Sequence, residues 1–332
     1  MRWLITGAQG FIGRYVTNHI LACQPGAILL GVGRSAGLNG YFSHTITGPN
    51  GPLRAPLPDA LASPWNSRFR YCSVAVDDVP SMTRLLAAFR PDIILHLASS
   101  LRGQAKSDLL STNVGGTEAL FASILLAGGR HPRVVLASSG GVYGEVSGDR
   151  LPSRESDPCH PIDDYSISKL LAENSARRAS AAAGISLAVV RIFNVLGPGQ
   201  SERHVAGQIA AQLMPIKRGC TNQISLGVLH CTRDFIDVRD AARAVVTACC
   251  NGEGTFNIGT GKERSVAELL NHFLGHMTTR PAVQSRVCDG GLARNCAEIS
   301  RMRDLGFEPE FSLDDSVTAI LDYYERIWEM DV

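Results

Sequence analysis

The stretch Arg2-Trp3-Leu4-Ile5-Thr6-Gly7-Ala8-Gln9-Gly10-Phe11-Ile12-Gly13 decides the fold. Five strand-like residues run into a turn with glycines three apart, and helix-like sequence follows from Arg14 to Leu21. Glycines at this spacing remove Cβ atoms where the chain must turn sharply. They also let backbone N–H groups approach a pyrophosphate and pack the start of the helix against the strand. Three glycines alone would carry little weight. The strand before them and the helix after them make this a dinucleotide site, with Gly7, Gln9, Gly10, Phe11, Ile12 and Gly13 placed at the cofactor.

Outward from this turn, strand-like runs recur near 2–6, 27–32, 69–76, 92–97, 133–138 and 186–192. Helix-like segments near 11–23, 80–90, 107–128 and 164–183 separate them. The alternation predicts an α/β fold with a Rossmann-like doubly wound parallel sheet. Gly33 to Asn66, rich in Gly, Pro, Ser and Asn, breaks the rhythm and reads as an irregular surface excursion. After Arg191 the elements shorten, with helices near 203–217, 238–250, 265–275 and 313–329, which predicts a smaller C-terminal α/β substrate domain.

A second signal is Tyr165-Ser166-Ile167-Ser168-Lys169, which puts a phenol and an ammonium four residues apart on one face of the predicted 164–183 helix. A lysine beside a tyrosine stabilises phenolate, lowering a pKa that starts near ~10. A surface Tyr and Lys sharing a helix would give the same pattern; the dinucleotide turn favours a catalytic pair.

Composition narrows the class. The 332 residues, 45% of them hydrophobic, provide ample material for a buried core, and 32 basic against 31 acidic residues leave a net charge of +1. That balance argues against a nucleic-acid partner. No apolar run approaches the roughly 18 residues needed to span a bilayer and no signal-cleavage pattern is visible, so a cytoplasmic protein is expected, with no membrane partner. The nine cysteines are scattered without a Cys-x-x-Cys pair, so no metal is expected, and the vicinal Cys249-Cys250 ends a helix-like run where burial as small apolar residues is the better reading. His96 ends an apolar run and is expected to pack beside the cofactor fold.

The turn and the Tyr-x-x-x-Lys pair together resemble the extended branch of the short-chain dehydrogenase/reductase superfamily, the NAD-dependent epimerase/dehydratase enzymes. Pro91 to Ala98, Thr112 to Thr117 and Val134 to Gly144 match further segments of that branch in order and spacing. The resemblance implies a cofactor domain of 1–191 plus 229–259 and a nucleotide-sugar domain of 192–228 plus 260–332. It also puts Leu97 and Ala98 at the cofactor. In the catalytic set, Ser139 would hydrogen-bond the substrate carbonyl, Tyr165 would carry the proton, and Lys169 would lower the tyrosine pKa and grip the nicotinamide ribose. Ser138 is distinguished from Ser139 by spacing alone.

Cofactor choice rests on Arg34 at the end of the second strand. An acidic residue there would bind the ribose hydroxyls of NAD, whereas an arginine offers its fork of donors to a 2′-phosphate, so NADP(H) is favoured and NAD stays possible. The aspartate that the branch often carries after its third strand aligns with Ala75, and Asp77 or Asp78 would substitute. Dehydratases need an acid and a base just after the serine; Gly140-Gly141 can move no proton, so dehydration is disfavoured.

The segments Val190 to Gly199 and Thr232 to Asp240 resemble those that bind a nucleotide-diphosphate sugar, with Asn194 and Arg233 reaching it. Arg233 could instead belong to an Arg–Asp surface pair. The form Asp234-Phe235-Ile236-Asp237-Val238-Arg239-Asp240 looks closest to enzymes of the GDP-mannose 4,6-dehydratase and GDP-4-keto-6-deoxymannose reductase group. The implied activity is NADPH-dependent reduction of a 4-keto-6-deoxyhexose. A 4-epimerase retaining NAD is the alternative, and a non-catalytic NADP(H)-sensing protein is a remote one. A homodimer is expected through about 107–126 and 164–183, where Ala172, Ala176, Ala179 and Ala183 would allow close packing between subunits or within one.

Overall fold

The computed structural model describes all residues except 63–66, 147–149, 286–293 and 330–332, so the end of the expected 33–66 excursion and Cys288 lie outside the described residues. Seven parallel strands form the main sheet, in spatial order Phe69–Ser73, Ile28–Gly33, Arg2–Thr6, Ile93–His96, Arg133–Ser139, Leu187–Ile192 and Gly254–Ile258. The chain winds outward from Arg2–Thr6 to one edge, then crosses back to lay Ile93–His96 on the other side. That reversal is where open α/β sheets leave a crevice for ligand at the carboxyl ends of their strands.

A parallel sheet covered on both faces needs apolar side chains on both. Successive residues of one strand serve opposite cores: Trp3 and Ile5 pack with Val16, Leu95, Val135 and Val190, whereas Leu4 packs with Leu30, Ile94, Leu136 and Val189.

The segment after Gly33 is more ordered than its composition suggests. Tyr41–Gly48 and Gly51–Pro56 form an antiparallel hairpin, and a short helix follows at Asp59–Ala62. Phe42 and Ile46 are buried while Tyr41, Ser43, Thr45 and Thr47 are exposed, a period-two pattern that the surrounding Gly, Pro and Ser residues obscured. The C-terminal helix Leu313–Glu329 fastens the hairpin: Tyr323 donates to the Pro56 carbonyl at 2.9 Å and Trp328 to that of Thr47 at 3.3 Å.

Within 229–259, Gly254–Ile258 joins the main sheet, whereas Thr232–Asp237 lies in a separate three-stranded sheet between Asn194–Leu196 and Glu263–Ser265. The expected 107–128 helix is interrupted: α-helical turns at Lys106–Leu109 and Gly116–Ala127 flank a π-helical segment, Leu110–Gly115. By length and composition this Lys106–Ala127 stretch could cross a membrane, its most apolar 18 residues having mean hydropathy 1.3, which corrects the expectation that no run reaches that length. Its physical explanation is packing: Leu120, Phe121 and Ile124 are buried in the sheet's second core.

Candidate active site

The glycine turn sits at the carboxyl end of Arg2–Thr6. Gly7 has φ +69°, and a Cβ there would fall 2.9 Å from the Ala98 nitrogen; a Cβ on Gly13 would fall 2.4 Å from the Gly7 carbonyl oxygen. The turn is therefore folded tightly on itself and pressed against Leu97–Ala98, with the Ala98 N–H donating to Thr6 Oγ1 at 3.0 Å. Helix Phe11–Cys23 begins at Gly10 with no side-chain cap and no acidic residue in its first turn. Its leading N–H groups suit a phosphate, so the residues present fit a dinucleotide.

Sequence reasoning missed the brace behind this turn. Arg14 is fully buried and donates to Gln9 Oε1 at 2.9 Å, the Asn39 carbonyl at 2.9 Å and the Tyr41 carbonyl at 2.9 Å, while Gln9 Nε2 donates to the Gly37 carbonyl at 2.9 Å. Burial lowers the Arg14 pKa to about 10. The only hint was an arginine inside an otherwise apolar helix face. Gln9 is thus a brace between the turn and the loop carrying Arg34. Arg34 itself is exposed just past Ile28–Gly33 and makes no hydrogen bond or ion pair with any described residue. Asp78 caps helix Val79–Phe89 by accepting from the Ser81 N–H at 3.1 Å, which leaves Asp77, exposed beside it, as the less committed carboxylate.

Ser139 ends its strand and accepts from the Gly141 N–H at 3.1 Å. Tyr165 opens helix Asp164–Ala183, whose N-cap is Asp163, and its phenol interacts with the Ser139 hydroxyl. Burial pushes the phenol pKa up, opposed by the Arg102 guanidinium and the Ser139 hydroxyl. One helical turn on, Lys169 is buried; burial lowers its pKa to about 8 and Glu173 works the other way.

Behind Lys169, Glu173 receives Arg191 on both oxygens, Nε at 3.1 Å and Nη2 at 2.9 Å, and Ser138 Oγ at 2.5 Å. Burial would raise the Glu173 carboxyl, but these partners hold it below its ordinary value. Ser138 is thereby committed to this network, and Ser139 is the serine that faces Tyr165. Asn113, buried in the π-helical segment, accepts from Ser99 Oγ and the Ser100 N–H and donates to Ser168 Oγ at 2.8 Å, tying the loop after Ile93–His96 to the tyrosine helix. His96 is buried between Thr6 Oγ1 at 2.7 Å and Thr117 Oγ1 at 3.1 Å; burial first, and Lys169 second, lower its pKa to about 3, so it is neutral.

The two residues expected at substrate lie on neighbouring strands of the separate sheet, Asn194–Leu196 and Thr232–Asp237. Asn194 donates to the Asp234 carbonyl at 3.4 Å, and Arg233 is half-buried with Nη1 donating to the Thr232 carbonyl at 2.7 Å. Burial, with Arg102 adding to it, lowers the Arg233 pKa. Asp234 is completely buried and accepts from Thr260 N, Thr260 Oγ1, Gly261 N and Ala297 N, so it is a structural hub and does not fit the surface-pair reading. Arg102 is the other residue that sequence reasoning missed: its guanidinium lies 5.5 Å from the centre of the Tyr165 ring. Among the described residues no group of three or more His, Cys, Asp and Glu side chains could hold a metal. His272 and His276, four residues apart, both face Asp314 at 3.2 and 3.6 Å, as an exposed clamp between two helices.

A doubly wound sheet with an uncapped glycine turn at its switch point, and a Ser, Tyr and Lys set beside it, defines an NAD(P)-dependent oxidoreductase of the extended short-chain type. The chain belongs to the NAD dependent epimerase/dehydratase family, whose model matches residues 3–259. It is 28% identical to GDP-6-deoxy-D-mannose reductase of Pseudomonas aeruginosa, the alignment covering 99% of each chain. It is 29% identical to UDP-glucose 4-epimerase of Mycolicibacterium smegmatis, over 98% of this chain and 99% of that one. The structure of RMD from Pseudomonas aeruginosa complexed with NADPH superposes with a TM-score of 0.79, at 25% identity over all of both chains. Relatives of both kinds place this chain among enzymes of nucleotide sugars.

Proposed function

We propose that this chain reduces the 4-keto group of a nucleoside-diphosphate 4-keto-6-deoxyhexose with NADPH, and that GDP-4-keto-6-deoxymannose is the first substrate to try. The observation that carries this reading is the surroundings of Ser139. It meets Tyr165 beside the glycine turn, while the next two positions are glycines with no room for a side chain: a Cβ on Gly140 would fall 2.9 Å from the Phe193 ring, and one on Gly141 would fall 2.5 Å from Ser166 Oγ. Redox chemistry at a carbonyl keeps its hydroxyl and phenol; the acid and base that elimination of water requires cannot be installed there.

NADPH would supply the hydride, held by the Gly7–Gly13 turn and, at its 2′-phosphate, by exposed Arg34. The Ser139 hydroxyl donates to the substrate carbonyl and stabilises the alkoxide as charge develops. Tyr165, whose phenol burial keeps protonated at neutral pH, delivers the proton. Lys169 presents a buried cation to the same face of the helix. Arg233 takes the diphosphate, for which a guanidinium offers paired donors, and Asn194 reaches the same group.

The exposed apolar residues Leu110, Leu125, Leu126 and Leu171 lie on the two helical stretches expected to form a dimer, and a groove of about 700 Å³ runs between them. They support a homodimer as part of the proposal. The alanines do not contribute: Ala172 and Ala176 are buried, and Ala176, Ala179 and Ala183 pack into the subunit's own core.

The test is NADPH oxidation by the purified protein with GDP-, dTDP- and UDP-4-keto-6-deoxyhexoses, with Tyr165→Phe alongside. Stoichiometric oxidation with one sugar, reduced by a factor of about 100 or more in the variant, is expected. No oxidation with any of them, together with interconversion of saturated nucleotide sugars by retained NAD, would replace the reductase with a 4-epimerase.

A further inference from the structure

Three contacts and one close approach place Arg102 at the candidate site. Its Nη2 pairs with Asp163 at 2.8 Å and donates to Ser166 Oγ at 3.2 Å. Its guanidinium carbon lies over the Tyr165 ring, 5.5 Å from the centroid. The space where Gly141 would carry a Cβ is closed partly by Arg102 Nη2, 3.3 Å away. Asp163 is also the N-cap of the helix that carries Tyr165, accepting from the Ser166 N–H at 2.9 Å, so the anchor of Arg102 and the anchor of the tyrosine are one carboxylate.

The charged groups around the phenol come from three directions. Asp163 and, one turn further, Lys169 share its helix, and Arg102 comes from the loop after Ile93–His96. His204 and Arg233 face Arg102 from the substrate side, each with its protonated form disfavoured by burial first and by Arg102 among its neighbours. The Ser139 hydroxyl is the neutral donor. Of the cations, Arg102 is the one whose charge opposes burial of the phenol.

We propose that Arg102 is a positioning residue for the proton-transfer step, a cation that stabilises the Tyr165 phenolate from the face of its ring while Asp163 and Ser166 hold it in place. A guanidinium over an aromatic face is attracted by the ring itself and more strongly by the ring's anion. Because Arg102 is 62% exposed, solvent screens part of this attraction. The proposal rests on Tyr165 being the proton donor.

The experiment follows the phenol directly. Protein labelled with carbon-13 at the tyrosine ζ position, with Tyr165→Phe to assign its signal, gives the Tyr165 midpoint in wild type, Arg102→Ala and Arg102→Lys. Expected is an upward shift of about one pH unit in Arg102→Ala, partly reversed in Arg102→Lys, with the basic limb of kcat/KM for reduction moving by the same amount. Unchanged thermal unfolding would show that the fold is intact. A midpoint that stays put in Arg102→Ala overturns the inference, even if activity falls, because Arg102 would then touch only substrate. A shifted midpoint in a protein that reduces no keto sugar would sink the proposed function and leave the inference standing.

Discussion

Lys169 should cost this protein stability, and the cost should fade as pH rises. The residue is 5% exposed, and burial takes its pKa from 10.5 to about 8. At 1.36 kcal/mol per unit, holding it protonated in the folded chain at about pH 7 costs about 3 kcal/mol relative to a neutral side chain. The sign follows from proton counts. Between about pH 8 and 10.5 the unfolded chain keeps the lysine proton and the folded chain has released it, so stability from this group rises with pH. Lys169→Met replaces the ammonium with an apolar side chain of similar length, which should stabilise the cofactor-free protein near pH 7 and abolish reduction. Urea unfolding of both proteins at about pH 7 and about pH 9.5 makes the comparison, in which other titrating groups cancel. The advantage of the variant should shrink by about 2 kcal/mol between the two. A difference independent of pH, or a variant less stable at both, would refute the buried-cation argument.

Other predictions address the network behind Lys169 and the two ends of the cleft. Glu173→Gln should destabilise by about 3 kcal/mol or more, since it strands the buried Arg191 guanidinium. Because Glu173 titrates below its ordinary value when folded, that loss should be full at neutral pH and disappear in acid as the wild-type carboxylate protonates, measured by urea unfolding against pH. Arg34→Asp should weaken NADPH roughly tenfold to a hundredfold and NADH much less; fluorescence titration showing an unchanged preference would move the 2′-phosphate contact elsewhere. Arg233→Ala should raise the KM for the sugar nucleotide roughly tenfold with a smaller effect on kcat, and steady-state kinetics with no change in KM would remove it from the diphosphate site.

Local pattern was enough to locate the glycine turn, the six main-sheet strands up to Ile192 and the helices around them, because backbone period and turn chemistry act over a few residues. Ser139, Tyr165 and Lys169 could be picked out as candidates for the same reason: each sits at a fixed offset from a motif, Tyr165 and Lys169 one helical turn apart. The hairpin at Tyr41–Pro56 was hidden because its alternation is carried by few apolar residues among turn formers, and it is secured by Tyr323 and Trp328 from the far end of the chain.

What only the tertiary structure decided concerns partners distant in sequence. Whether Ser138 or Ser139 faces Tyr165 depends on Glu173 and Arg191 claiming Ser138. Whether Asp234 pairs with its neighbour or holds a loop depends on Thr260, Gly261 and Ala297. Arg14 and Arg102 stand in no recognisable motif, and their roles appear only when folding brings Asn39 and Tyr41 to one and Tyr165 and Asp163 to the other. The chain by itself therefore determined the doubly wound sheet and the residues that are candidates for its chemistry. Charge placement, burial and the resulting proton affinities are sums over groups that only the packed fold assembles.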